Sequence, residues 1–476
     1  MKNKNIKIYN SLSRRKDILK PLTDRRINLF VCGPTVYDFS HIGHARTYII
    51  FDCLVKYLKQ MGFKVFYLQN ITDIDDKIIV RAKEKGVPTK DIAETFAKEY
   101  LKNMKSLGII SVTKYARATK YIKEIISQVQ RLLEKGYGYR LEQGIYFDIS
   151  KFDGYGKLSG RTVLKAEDVV SRIDYGKNKK NRGDFCLWKF NEHKDEPSWP
   201  SPFGWGRPGW HIEDTAITEK FFGSQYDIHG GGRDLVFPHH EAEISQMEAI
   251  SGKKPMVKYF IHSGVLTREG QKMSKSLQNF ITIDDFLRRH PYRYLRFWVA
   301  KNLWKAPLDY SESAMTEVKS ALEKIEEFLI RLKYQKSKGG GKRQDLKTIN
   351  KLLTKAKNDF YKNLNDDFNT PKAFAVIFKL IKETNKFFGR GRLNEKSADR
   401  MYQFFQEINK VFDIIDFRKL GKAELPREVK KILLDREKCR KNSQWQKADQ
   451  LRKEIEKYGF LVEDTRDGPV LKKISR

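Results

Sequence analysis

Asn28-Leu29-Phe30-Val31-Cys32, followed by Gly33-Pro34-Thr35-Val36-Tyr37-Asp38-Phe39-Ser40 and then His41-Ile42-Gly43-His44, is the stretch on which the fold turns. Its first five residues form an apolar run of strand length. The glycine–proline loop ends that run. A helix is predicted over 43–61, where Ala45, Tyr48, Ile49, Phe51, Cys53, Leu54, Val55 and Leu58 leave little polar surface. A second strand is predicted over 64–69. Strand, buried crossover helix and strand imply a parallel pair with a right-handed connection. Ligands of such a sheet bind beyond the carboxyl ends of the strands, and Cys32 and Asn70 mark two of these ends. The helix that opens at His41 offers unpaired N–H groups and a partial positive charge, which suit a phosphate. His41 and His44 add hydrogen-bonding capacity toward a triphosphate.

Far along the chain, Arg268-Glu269-Gly270 leads into Lys272-Met273-Ser274-Lys275-Ser276. A basic loop of this kind can close over a departing pyrophosphate. Either segment alone carries little; a HIGH tetrapeptide also suits a buried helix start. In this order the two resemble the paired motifs of class I aminoacyl-tRNA synthetases. The flanks narrow the resemblance to the cysteinyl-tRNA synthetases: Cys32 to Asp38, Asn70-Ile71-Thr72-Asp73-Ile74-Asp75-Asp76-Lys77, Gly206-Arg207-Pro208-Gly209-Trp210-His211-Ile212-Glu213, Asp227-Ile228-His229-Gly230-Gly231-Gly232, and Phe237-Pro238-His239-His240-Glu241. It continues through Asn365-Asp366-Asp367-Phe368-Asn369-Thr370-Pro371 to Trp445, Ala448-Asp449 and Glu463-Asp464, and so covers nearly the whole chain.

The resemblance implies an α/β fold. A Rossmann-like parallel-sheet nucleotide domain (1–100 and 201–313) would be split by a connective insertion (101–200). A helical bundle (314–420) and a small anticodon-binding domain (421–476) would follow. It implies a cysteine–tRNA ligase activity, in which cysteine attacks the α-phosphate of ATP and the cysteinyl group passes to the terminal ribose of tRNA(Cys). L-cysteine, ATP with Mg²⁺ and tRNA(Cys) are the partners expected. His41, His44, Lys272 and Lys275 are the expected stabilisers of charge moving to pyrophosphate. Gly43, Gly231, Asp234 and Lys275 are expected beside the nucleotide, and Thr72 and Trp210 beside the amino acid. Two other readings stay open at this point: a related ligase that joins activated cysteine to a small amine, and a non-catalytic RNA-binding paralogue.

His239 and Glu243 stand four apart, which places both on one helical face. That spacing suits two metal ligands and equally a plain histidine–carboxylate contact. By resemblance, Cys32, Asp214, His239 and Glu243 fall on the family's zinc positions, giving one Zn²⁺ per chain. Asp214 departs from the pattern, which most often has cysteine there. A carboxylate can ligate zinc, and fewer thiolates leave the metal a stronger Lewis acid. Asp214 can also be read as a residue behind the ligands, or the site as metal-free. Serine and cysteine are nearly isosteric, and a small apolar pocket separates such pairs by only about 10–200-fold. A metal that takes up a thiolate gives chemical selectivity instead. The Gly230-Gly231-Gly232 run permits close backbone approach, though such triplets are usually turns. In the tail, Arg440, Asp449 and Asp464 match the family's base-reading positions, while Trp445 reads as a residue of a small core.

The bulk composition agrees with a soluble multidomain protein. The chain has 476 residues, 40% hydrophobic and 32% charged, with a formal charge of +34, enough for several cores. Such a charge favours a polyanionic partner. Residues 427–476 hold 15 Lys/Arg against 9 Asp/Glu, so the excess is only modestly concentrated there. No apolar run reaches membrane-spanning length, and the lysine-rich start is not followed by the apolar stretch of a secretory signal. A cytoplasmic monomer is expected. The four cysteines (Cys32, Cys53, Cys186, Cys439) lack CxxC spacing, so no disulfide framework is expected, and Cys53 and Cys186 read as core residues. Residues 90–137 read as mainly helical, and Lys336-Ser337-Lys338-Gly339-Gly340-Gly341-Lys342 as a mobile connection.

Overall fold

The computed structural model describes residues 5–161, 178–191, 196–273, 279–335, 343–388, 393–420, 427–465 and 468–473. The predicted glycine-rich connection at Gly339 to Gly341 lies outside them. The chain divides into two compact units. The first comprises Met1–Val318, Lys362–Pro371 and Lys410–Asp413, and the second Lys319–Tyr361, Lys372–Asn409 and Ile414–Arg476.

A five-stranded sheet forms the heart of the first unit. Its strands are Arg26–Val31, Lys64–Ile71, Lys114–Arg117, Tyr226–Gly232 and Val257–Ser263. Every pairing is parallel, and Tyr226–Gly232 lies between Val257–Ser263 and Arg26–Val31. Counted along the chain the spatial order is 5-4-1-2-3, a Rossmann-like arrangement whose direction reverses between the first and fourth strands. Leu29, Phe30 and Val31 are fully buried, as expected for a sheet covered on both faces. Burial of each such side chain stabilises by roughly 1.5–3 kcal/mol.

The helix expected over 43–61 runs Ile42–Gln60 and passes through the core. The stretch expected to be mainly helical differs: between the helices Thr89–Ser106 and Ile122–Glu134 it contains the sheet's edge strand Lys114–Arg117. Four residues with a charge at each end give no period to read, so only pairing with Lys64–Ile71 defines this strand. Between the third and fourth parallel strands the chain builds an antiparallel sheet of Gly138–Leu141, Gly144–Phe147, Phe185–Phe190 and Gly206–Pro208. Its core joins Phe147, Phe185 and Trp188 to Ile125 and Val129 of one helix and Ile212 of another.

A buried ionic cluster braces the first unit. The Asp52 carboxylate meets the Arg296 guanidinium at 2.7 Å and the Lys56 ammonium at 2.7 Å. Asp52 also accepts from the Ile110 and Ser111 amides, and Arg296 donates to the carbonyls of Leu107 and Phe412. The second unit is helical, drawn from Glu312–Gln335, Arg343–Asn365, Thr370–Phe388 and Glu395–Phe412. Phe328 packs against Phe388 and Phe405, and Phe360 against Phe404. It ends in the helices Arg427–Lys441 and Trp445–Lys457 and the hairpin Phe460–Thr465 with Gly468–Lys473, around Val429, Ile455, Phe460 and Val462. No described helix is long and apolar enough to cross a membrane. All four cysteines are free, and Cys53 and Cys186 are buried, as read from the sequence.

Candidate active site

The carboxyl ends of four parallel strands meet at one cavity of about 280 Å³. Cys32 to Thr35 follow the first strand, and Asn70 and Thr72 stand at and just past the end of the second. Gly232 ends the fourth and Asp234 follows it, and Gly264 to Leu266 follow the fifth. His41, Gly43 and His44 reach the same cavity from the start of the Ile42–Gln60 helix, and Trp210, Asp214 and His239 from the segments after the insertion. This is the crevice that the strand-order reversal requires.

At the helix start His41 is the N-cap, and its Nδ1 accepts from the Gly43 amide at 3.0 Å. An imidazole that accepts at Nδ1 carries its proton on Nε2, so His41 presents a donor there. The His44 ring stacks on His41 with centroids 3.9 Å apart. Burial holds its pKa down to about 4, so at neutral pH it acts as a hydrogen-bonding group rather than a cation. Its Nδ1 has no hydrogen-bond partner. A neighbouring cavity of about 490 Å³ shares Thr35, His41, His44 and Met273 and adds Lys77. Lys77 therefore supplies a cation at this end, a role that its place within a quoted motif did not reveal. Lys272 ends the short strand Gln271–Lys272, and Lys275 lies outside the described residues.

Beyond Cys32 the charges are buried and crowded. His239 lies in the irregular turn Val236–His240 just before the helix Glu241–Ser251, which carries Glu243. Its Nε2 is 2.9 Å from Glu243 Oε1 and 3.0 Å from Asp214 Oδ2. The four-residue spacing thus makes its contact, although the histidine precedes the regular helix. Burial opposes charge on His239, but the Glu243 and Asp214 carboxylates outweigh it and raise its pKa to about 10. Burial pushes Glu243 up to about 7 against the pull of His239. Burial, with Glu243 and Asp214 adding to it, holds the Cys32 thiol well above its usual range. Trp210 stacks on the His239 ring at 4.4 Å, and Thr72 donates to Glu213, a buried carboxyl that the sequence reading passed over.

The donor set fits a metal ion. Cys32, Asp214, His239 and Glu243 each offer one ligand atom within 4.8 Å of the others, all buried. Asp214 Oδ1 and Glu243 Oε2 are buried without a hydrogen-bond partner, the latter having only His229 Nε2 at 3.4 Å, an expensive condition for carboxylate oxygens unless a cation satisfies them. A second grouping, Cys32, His229, His240 and Glu243, shares two members with the first. Cys32 Sγ lies 3.4 Å from His229 Nε2 and 3.1 Å from His240 Nε2. Cys32, which both groupings share, lines the cavity with Asp214 and His239, whereas His229, His240 and Glu243 do not, so the first grouping presents three donors to a substrate and the second one. Neither histidine was given a role from sequence, although both stand within motifs that carry the resemblance.

The glycine triplet is the end of a strand, not a turn. Gly232 lines the cavity, whereas Gly231, one residue earlier, is buried. A Cβ on Gly231 would stand 2.9 Å from the His240 ring, so its bareness makes room for that histidine. Asp234 is exposed at the cavity rim.

In the second unit the expected base-reading residues share one small domain. Asp464 accepts both Nη groups of Arg436, at 2.8 and 2.7 Å, and Arg440 Nη1 at 2.9 Å. Arg436 is fully buried. Trp445, expected in a small core, is instead 57% exposed with the Arg440 guanidinium 5.6 Å from its ring centroid. It is the first residue of its helix, and that helix turns Ala448 and Ile455 inward. Asp449 is exposed four residues on.

Comparison with known proteins gives one answer. Residues 18–320 match the family model for tRNA synthetases class I (C) catalytic domain, 359–416 the DALR domain, and 422–468 the cysteinyl-tRNA ligase anticodon binding domain. The chain is 44% identical over 467 residues to the cysteine–tRNA ligase of Thermoplasma volcanium, covering 97% of this chain and 98% of that protein. It is 41% identical to that of Thermococcus gammatolerans, covering 98% and 99%. Among solved structures, a Mycobacterium tuberculosis methionyl-tRNA synthetase in complex with methionyl-adenylate superposes with a TM-score of 0.61 at 14% identity, over 82% of this chain and 90% of that one, a likeness of fold.

Proposed function

This chain belongs to the class I cysteinyl-tRNA synthetases and is an aminoacyl-tRNA ligase of that family; on that premise we propose that it activates cysteine with ATP in the cavity described above and selects the thiol with a zinc ion held by Cys32, Asp214, His239 and Glu243. The observation that carries this reading is that three of the four donors, Cys32, Asp214 and His239, line the same cavity as the helix start. A zinc ion held there would take up a thiol as thiolate and an alcohol much less. The chain's own groups do the rest. Trp210 and Thr72 bound the amino acid. The partial positive charge of the Ile42–Gln60 helix start, His41 Nε2–H, His44 and Lys77 receive the phosphates of ATP with its Mg²⁺, and Asp234 stands where a ribose can be reached. Lys272 and Lys275 stabilise the pyrophosphate as it leaves. The protein supplies no covalent nucleophile, so positioning and electrostatics carry the rate.

The ribose hydroxyl at the tRNA end then attacks the cysteinyl adenylate. Arg440, Asp449 and Trp445 are the base-reading surface, with an exposed aromatic face for stacking and a carboxylate for base N–H groups. The sequence segments 1–100 and 201–313, 101–200, 314–420 and 421–476 are the domains that divide this work, in a cytoplasmic monomer, except that the strand Lys114–Arg117 belongs to the sheet of the nucleotide domain and not to the insertion. The test is cysteine-dependent ATP–pyrophosphate exchange followed by aminoacylation of tRNA(Cys). Exchange with cysteine, near-background exchange with serine, and charging of the tRNA are expected. Exchange without transfer to tRNA would favour a small-amine acceptor, and no exchange at all would overturn the reading.

A further inference from the structure

Arg46 lies one turn past Gly43 on the helix that opens at His41, and it is 1% exposed. A fully buried guanidinium is normally neutralised by a carboxylate, because removing a charge from water costs several kcal/mol. Among the described residues no carboxylate pairs with Arg46, and burial alone lowers its pKa, to about 10. Its partners are backbone carbonyls. Nη1 donates to Val265 O at 2.5 Å, and Nη2 to Ala306 O and, at 3.4 Å, to Trp304 O.

These carbonyls already have work. Val265 O accepts from the Leu308 amide and Trp304 O from the Gly264 amide. The two segments run so close that a Cβ on Gly264 would collide with Ala306 O. Gly264, Val265 and Leu266 form one wall of the cavity. Just beyond, Leu266–Arg268 pairs with both Leu308–Tyr310 and the strand that ends at Lys272. The adjacent Thr47 adds a 2.8 Å hydroxyl contact to Ser263.

We propose that Arg46 is a positioning residue for the nucleotide: its guanidinium ties the phosphate-receiving helix start to the Gly264–Leu266 wall and so fixes the width of the cavity between them. The role needs the planar fork, which reaches several carbonyls at once; the point charge of a lysine cannot. The inference rests on the ATP reading above. It has no consequence for the Cys32, Asp214, His239 and Glu243 set, which other segments hold.

The experiment compares Arg46→Lys and Arg46→Met with wild type in the full-length protein. In pyrophosphate exchange, kcat/KM for ATP should fall about 10–100-fold, the cost of a small misplacement, while KM for cysteine stays within about twofold. Hydrogen exchange should speed up at the Gly264 and Leu308 amides and not across the parallel sheet. A lowered melting temperature with unchanged kinetics per folded site, or equal loss toward ATP and cysteine, would show that Arg46 merely supports the fold and overturn the proposal. If Arg46→Met does not fold, Arg46→Lys decides. If wild type shows no exchange, the ATP reading fails, and the two amides alone decide whether the tie exists.

Discussion

Two buried charged clusters sit in the first unit, and they are built on opposite terms. In the Asp52 cluster each group is answered: one carboxylate, two cations, two amide donors and three carbonyl acceptors, of Leu107, Gly108 and Phe412. In the Asp214 cluster two carboxylates, a thiol and one histidine share a pocket, and two carboxylate oxygens lack hydrogen-bond partners. Both are buried, so burial does not distinguish them. What distinguishes them is the balance of donors and acceptors. A closed account marks a brace, and spare acceptors mark a place for a cation. Loss of a group from the first should therefore appear in stability, and from the second in chemistry.

The largest stability effect should come from Arg296→Met, which leaves Asp52 and three carbonyls without this partner. Breaking one partner of a buried pair costs about 3–5 kcal/mol, to be read from urea unfolding, with metal content unchanged. The pH dependence follows. Burial raises the Asp52 pKa, but Arg296 and Lys56 outweigh it and hold it below the ordinary carboxylate value. Its stabilisation is thus present above the unfolded value of about 3.9 and is lost as pH falls through the folded one. Acid unfolding of Arg296→Met should begin at higher pH than in wild type; coincident acid transitions would break the contrast.

Lys275→Ala sharpens the other side. It should cost roughly 2.7–4 kcal/mol in the transition state for adenylate formation, with little change in cysteine binding or urea midpoint. Near-normal exchange would remove this lysine from the mechanism. A third cluster, at the surface of the second unit, extends the comparison. Trp445→Ala should weaken tRNA binding by about 1–3 kcal/mol and leave adenylate formation intact, measured as KM for tRNA against exchange rate. Smallest of all, Arg440→Ala removes a partly exposed ion pair and should shift folding stability by no more than about 1 kcal/mol, whatever it does to tRNA recognition.

Much of the site was legible because its signals are local. A strand, a glycine–proline break and a helix start follow one another from Asn28 to His44 with nothing between them. The pair His239 and Glu243 likewise meets through a four-residue interval. What escaped is what forms only on folding. Asp52 and Arg296 are 244 residues apart, and no spacing announces them. His229 and His240 meet Cys32 from the neighbouring strand and the turn beyond it. Glu213 gains its partner, Thr72, from a different strand end. Trp445 escaped because residue type suggests burial, while position at the first turn of a helix decides exposure.

The central claim is that the cluster with spare oxygens holds the zinc that selects cysteine, with Asp214 among its ligands. Zinc analysis of the purified wild-type and Asp214→Ala proteins, with cysteine and serine exchange rates on the same samples, tests it most directly. One zinc per chain in wild type is predicted, with Asp214→Ala losing zinc and cysteine activation together while ATP binding survives, and Asp214→Cys retaining zinc and partial activity. Full zinc occupancy with unchanged preference for cysteine over serine in Asp214→Ala would contradict it.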